Sequence, residues 1–204
     1  MEHLATLISR YPILQHCKRE IQAAYEQLRS SFETGGRLYI CGNGGSAADA
    51  LHMVGELGKS FVLPRTVDEE FSARVDRQLC EHLQGALPAY ALVENSALAS
   101  AYANDVDPDY VFAQQVYAYA RPGDCVIGIS TSGNSRNILH ALHAARGRDA
   151  VPIGLSGRDG GKMKALCDVC ITVPVAETYQ IQELHMPIYH TLCMMLEAFF
   201  WGGQ

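Results

Sequence analysis

The chain has 204 residues, of which 48% are hydrophobic and 19% charged, a composition that supports a packed core and excludes a disordered polymer. Its net charge of −6 comes without any run of lysines or arginines, which argues against a nucleic-acid partner, and no segment approaches the roughly 18 unbroken apolar residues of a membrane span. Seven cysteines are an odd count in a chain too long to need staples, so free thiols in a reducing cytoplasm are expected; the opening MEHLATLISRYPIL has no secretory signal pattern.

In residues 3–33, Leu4, Leu7, Ile8 and Ile13, then Ile21, Ala24, Tyr25 and Leu28, recur at three- and four-residue steps. This predicts an amphipathic helical arm with a break at Pro12. The arm either packs on a neighbouring subunit or covers its own domain, and the pattern does not choose. Five short apolar runs follow, RLYIC (37–41), AYALV (89–93), DCVIGIS (124–130), VPIGLS (151–156) and VCITVP (169–174). Near-continuous aliphatic runs are how strands buried on both faces read. Helical patterns follow them at 46–58, 95–120, 134–147, 160–167 and 178–200. The alternation predicts a doubly wound, five-stranded parallel α/β sheet. One domain, 1–204, is expected, with residues 1–35 as its arm. The charge-rich segment 61–87 interrupts the alternation as an insertion: a lid, a subunit contact or an inert excursion. Cys167 and Cys170 form a lone C-x-x-C, too weak a pattern to predict a zinc or redox site by itself.

Two loops carry the chemistry. Gly42-Asn43-Gly44-Gly45-Ser46-Ala47 follows the first strand and opens a helix. It fits a dinucleotide fingerprint, and it equally suits any phosphate, because bare backbone N–H groups and the helix dipole both favour an anion. Ser130-Thr131-Ser132-Gly133-Asn134-Ser135 follows the third strand and offers hydroxyl and N–H donors, although such clusters also cap helices. In a flavodoxin-like strand order, 2-1-3-4-5, the first and third strands flank the point where the winding reverses, so both loops would face one crevice. A dinucleotide site wants an acid some twenty positions after the glycines, and the acid after the second strand is the distant Glu94. The phosphate reading therefore prevails.

His52 and Glu56 lie four apart on the helix opened by the first loop and share a face. Such a pair suits a metal or paired proton transfer, or is an ordinary surface contact. The last helix carries Gln182, Glu183, His185 and His190. Spacing favours neither Glu183 nor Gln182 as the partner of His190, because Pro187 makes wheel arithmetic unsafe.

The segments CGNGGSAADALHMVGE, GISTSGNS, GLSGRDGGKM and IQELHMPIYH together resemble the sugar isomerase (SIS) domain family and, within it, the phosphoheptose isomerase branch. The likeness runs from about Arg37 to Leu196. It implies a ketose–aldose isomerase that converts sedoheptulose 7-phosphate to D-glycero-D-manno-heptose 7-phosphate through an enediol, for the heptose of lipopolysaccharide, capsule or glycoprotein. It implies Glu56 and His190 as the catalytic acid–base pair, and His52, Glu56, Gln182 and His190 as ligands of one zinc per subunit. Phosphate falls to Ser46, Ser130, Thr131, Ser132 and Ser135 with Gly44 and Gly45, and sugar hydroxyls to Asn43 and Asp105; Gln182 also contacts substrate. A homotetramer is implied, with sites where the last helix of one chain meets the glycine loop of another. His82, His140, His143 and His185 are left as structural or surface groups. Two departures from the family pattern stand out: Gln180 replaces a basic residue, and segment 61–87 is longer than in compact members. The alternatives are a non-catalytic tetrameric relative that docks on a replication initiator, and an isomerase or sensor of another phosphosugar.

Overall fold

Five strands, β1 (Leu38–Gly42), β2 (Ala89–Ala91), β3 (Cys125–Ser130), β4 (Val151–Gly157) and β5 (Val169–Val173), form one parallel sheet in the computed structural model, in the order β2-β1-β3-β4-β5. The structure describes residues 2–203, so positions 1 and 204 of the expected domain lie outside it. The strand alternation divides the core in two. Leu38 and Ile40 of β1 and Ile127 and Ile129 of β3 face one side, whereas Tyr39, Cys41 and Val126 face the other. Both sides are covered, which is why these strands read as unbroken apolar runs.

The first side is covered by α1 (Glu2–Arg10), α2 (Lys18–Glu33), α3 (Gly45–Leu57) and α9 (Thr178–Trp201). The second carries α7 (Val111–Tyr119) and α8 (Arg136–Gly147), with α6 (Ser96–Asp105) packed beside them. The close approach of α8 to the sheet depends on Gly128, where a Cβ would meet Ile138 and Leu142. The arm covers its own domain: Leu4 and Leu7 of α1 and Ile21, Ala24 and Leu28 of α2 are buried in the first core. Its break is a 3-10 turn, Pro12–Cys17. The helical pattern over 95–120 is in fact two helices. Asp107 and Pro108 separate α6 from α7, because proline lacks an N–H and disfavours α geometry in the residue before it. The pattern at 160–167 is a 3-10 turn, Gly161–Ala165, and α9 runs unbroken through Pro187.

Segment 61–87 contains two short helices, α4 (Glu69–Ser72) and α5 (Arg77–His82), each capped by an aspartate, Asp68 and Asp76. Its start is fastened by a buried ion pair. Glu197 of α9 accepts hydrogen bonds from the Phe61, Val62 and Leu63 N–H groups and from Arg65 Nε at 2.7 Å. Arg65 in turn donates to the carbonyls of Leu57 and Glu56 at the end of α3, and its guanidinium lies over the Trp201 ring. Burial alone would raise the Glu197 carboxyl; the backbone N–H groups and Arg65 outweigh it and hold the group below its ordinary value.

Both side chains of this pair are fully buried, so removing one leaves the other charge uncompensated. Glu197→Ala is expected to lower stability by roughly 3–5 kcal/mol in urea unfolding, while Arg65→Met with Glu197→Leu recovers most of the loss. A double variant as unstable as the single would show that the backbone contacts, not the buried charge, dominate.

Candidate active site

The two glycine- and hydroxyl-rich loops meet where the sheet requires it. β1 and β3 are neighbours, with Gly42 opposite Ile129, and the loops leave their adjacent carboxyl ends. Gly44 has φ of 56°, a conformation that favours glycine, and precedes the first turn of α3. Gly45 meets the other helix: a Cβ there would push against the Gln182 amide, which reaches over from α9. Ser46 is buried, its N–H bonded to the Asn43 carbonyl. In the second loop the Ser130 and Ser135 hydroxyls lie 3.0 Å apart and Asn134 N–H donates to Ser132 Oγ. Gly133 has φ of 63°, and a Cβ on it would collide with the Gly160 carbonyl.

A reciprocal amide pair ties the loops together. Asn43 Nδ2 donates to Asn137 Oδ1 and Asn137 Nδ2 to Asn43 Oδ1, both at 2.9 Å. A third loop, after β4, buttresses the second: Met163 N–H donates to the Gly133 carbonyl and Lys162 N–H to Asn134 Oδ1. Beneath it, Ser156 Oγ donates to the Ser130 carbonyl at 2.7 Å.

Two turns into α3, His52, Glu56 and His190 come together, with one ligand atom of each within 4.8 Å of the others. His52 Nε2 lies 3.2 Å from Glu56 Oε1 and 3.3 Å from His190 Nε2. The Tyr189 hydroxyl sits 3.0 Å from His52 Nδ1 and 3.3 Å from Asp49 Oδ1. Tyr189 donates to the Asp49 carboxylate, so its oxygen accepts the His52 Nδ1–H, and the Nε2 lone pair is left facing Glu56 and His190. Two acceptors so close call for a proton or a cation between them. The N,N,O donor set, oriented from behind by Tyr189 and Asp49, fits a divalent metal. The Gln182 amide, on the same helix as His190, lies against Gly45 at the start of α3.

Electrostatics prepare the two central groups differently. Burial pushes the Glu56 carboxyl upward, but the Lys59 ammonium at 2.8 Å and the His52 contact outweigh it and keep the carboxylate ionised. Burial, reinforced by His52, holds His190 below its ordinary value despite Glu56. The Phe61 ring packs 5.4 Å from the His190 ring.

The structure thus brings Asn43, Gly44, Gly45 and Ser46 beside Gln182, joins Ser130, Thr131, Ser132 and Ser135 in one loop, and collects His52, Glu56 and His190. Asp105 is not drawn into this hydrogen-bonded group; it ends α6, exposed, and accepts from Asn104. Within one chain the last helix already meets the glycine loop and α3, through Gln182 on Gly45 and His190 on His52. Asn137, Asp49 and Tyr189 were missed from the sequence. Asp49 was within reach, since it shares a face of α3 with His52 and Glu56 at helical spacing.

A model of the SIS domain matches residues 9–157 of the chain. The chain is 40% identical over 184 residues to a phosphoheptose isomerase of Rhodospirillum rubrum, covering 90% of this chain and 88% of that one. It is 43% identical over 178 residues to a phosphoheptose isomerase of Helicobacter hepaticus, covering 87% and 81%. Among solved structures, a phosphoheptose isomerase from Neisseria gonorrhoeae superposes with a TM-score of 0.77 at 34% identity, covering 97% and 96%.

His185 lies fully buried on α9, close to the Ser156 backbone, yet neither ring nitrogen completes a hydrogen bond. Burial lowers it from an ordinary 6.5 to about 4, offset only in part by Ser156. Between those values the unfolded chain binds a proton that the folded chain refuses, so stability falls as pH drops through that window. The full effect is on the order of 3 kcal/mol. His185→Leu should flatten the stability profile between pH 7 and pH 4 in urea titrations; an unchanged slope would exclude His185 as its source.

Proposed function

The chain belongs to the SIS-domain family, in its phosphoheptose isomerase branch, and from that premise we propose that it converts sedoheptulose 7-phosphate to D-glycero-D-manno-heptose 7-phosphate for bacterial heptose synthesis. The observation that carries this reading is the meeting of His52, Glu56 and His190 within 4.8 Å, beside two loops shaped for a phosphate. Binding a phosphate requires none of these three side chains, whereas moving a proton between carbons requires groups of their kind.

In this proposal the Ser46 hydroxyl and the hydroxyls and N–H groups of Ser130, Thr131, Ser132 and Ser135 hold the phosphate, helped by the amino end of α3. Asn43, Gln182 and Asp105 orient the sugar chain. Glu56, ionised, takes the C1 proton of the ketose and returns it to C2. His190, held neutral, takes the O1 proton and passes it to O2, so an enediolate forms and collapses with atoms and charge balanced. His52, Glu56, Gln182 and His190 would hold one zinc ion. Bound there, zinc would polarise the substrate carbonyl as a Lewis acid and offset enediolate charge.

The proposal takes the chain as one SIS domain carrying 61–87 as an insertion, and the protein as a cytoplasmic homotetramer. Support for assembly comes from apolar side chains left exposed around the site: Leu51 beside His52, and Tyr179 and Met186 on α9.

The test is aldose formation from sedoheptulose 7-phosphate. Glu56→Gln is expected to lower kcat by about 10²-fold or more with sugar-phosphate binding retained. Treatment with a chelator should lower the wild-type rate, and zinc should restore it. A wild type that binds the sugar phosphate but never turns it over would defeat the catalytic reading and leave a binding protein.

A further inference from the structure

The C-x-x-C pair lies at the start of β5, away from the acid–base group, and its surroundings are rich in sulfur. Gly154, in the middle of β4, has no side chain, and a Cβ built on it would lie 2.9 Å from Cys167 Sγ, 2.9 Å from Cys170 Sγ and 2.9 Å from Met163 Sδ. Three sulfur atoms, two from the β4–β5 connection and one from β5, thus converge on one point and pack against the bare α-carbon of Gly154, in space that any side chain there would contest. We infer that Met163, Cys167 and Cys170 form a binding site for a soft monovalent cation of the copper(I) class.

The donor chemistry selects that class. Two thiolates and a thioether make a soft, three-coordinate set, which suits copper(I). Zinc would want a fourth ligand from nitrogen, oxygen or thiolate and rarely takes a thioether. Access and charge also fit. Met163 is fully buried, whereas Cys167 and Cys170 are half-buried, so a cation can enter from their side. Binding releases the two thiol protons and leaves a complex of net charge −1, beside the Lys164 and Arg146 cations. Arg146 also fixes the turn that carries the pair, donating to the Leu166 carbonyl at 2.6 Å and to Asp168 Oδ1 at 3.1 Å.

The experiment is an anaerobic titration of the reduced, full-length protein with copper(I) against a coloured copper(I) chelator, with proton release followed in weak buffer. One equivalent per chain should be withheld from the chelator, with protons released as it binds. Cys80→Ser, which removes the other half-buried thiol, should bind as the wild type does. Cys167→Ser with Cys170→Ser should weaken binding by more than about 100-fold, exceeding the loss typical of an outer-shell change, and Met163→Leu by about 10-fold. Met163→Leu conserves core volume, and circular dichroism of each variant separates lost binding from lost fold. The inference is overturned if folded wild type withholds no copper(I), if the double serine variant still binds it, or if a Cys167–Cys170 disulfide forms in place of the complex.

Discussion

Everything in the molecule follows from β1 and β3 lying side by side while their crossovers run to opposite faces of the sheet. In a parallel sheet all strands end at one edge, and only at such a reversal do two outgoing loops share a crevice. The hydrogen bonds of the β1–β3 ladder therefore fix the distance between the glycine loop and the hydroxyl loop before any side chain contributes. The Asn43–Asn137 amide pair then closes the remaining gap. A phosphate held there needs no lysine or arginine, which reconciles an acidic protein with an anionic ligand.

The second organising contact is α3 against α9. It is close because Gly45 yields its place to Gln182 and because Met53 and Leu57 pack against the inward face of α9. One helix brings Glu56, the other His190, and the sheet below keeps both a fixed distance from the phosphate loops. The His52–Glu56–His190 group is thus carried by long elements rather than by loops, and its rotamers are set from behind by Tyr189, Asp49 and Phe61. Such support would limit reorganisation in any charge-transfer step there.

Strands, strand order and both loops were legible in the sequence because each rests on local pattern: unbroken aliphatic runs, then glycine or serine at a helix start. The division at Asp107-Pro108 was legible too, and was lost under the apolar periodicity on either side of it. What pattern could not supply were contacts between residues far apart in the chain. Asn137 with Asn43, and Tyr189 with Asp49, are separated by 94 and 140 positions, and no spacing rule reaches across them. The choice of Gln182 over Glu183 came from family resemblance alone.

The Arg65–Glu197 clamp has a further consequence for how this chain can vary. Segment 61–87 is held at both ends: Glu197 and Arg65 bind its start, while Gly85 N–H bonds to the Arg65 carbonyl and Leu87 N–H to the Leu57 carbonyl. The residues between form a closed excursion whose stem is already ordered. Lengthening or shortening it costs only the slowly growing entropy of loop closure, about 0.6 kcal/mol per doubling. Glu56, whose carbonyl belongs to that stem, is insulated from such changes. The excursion is a region where natural sequences can drift in length and charge, and where a foreign peptide can be grafted, without disturbing the His52–Glu56–His190 group.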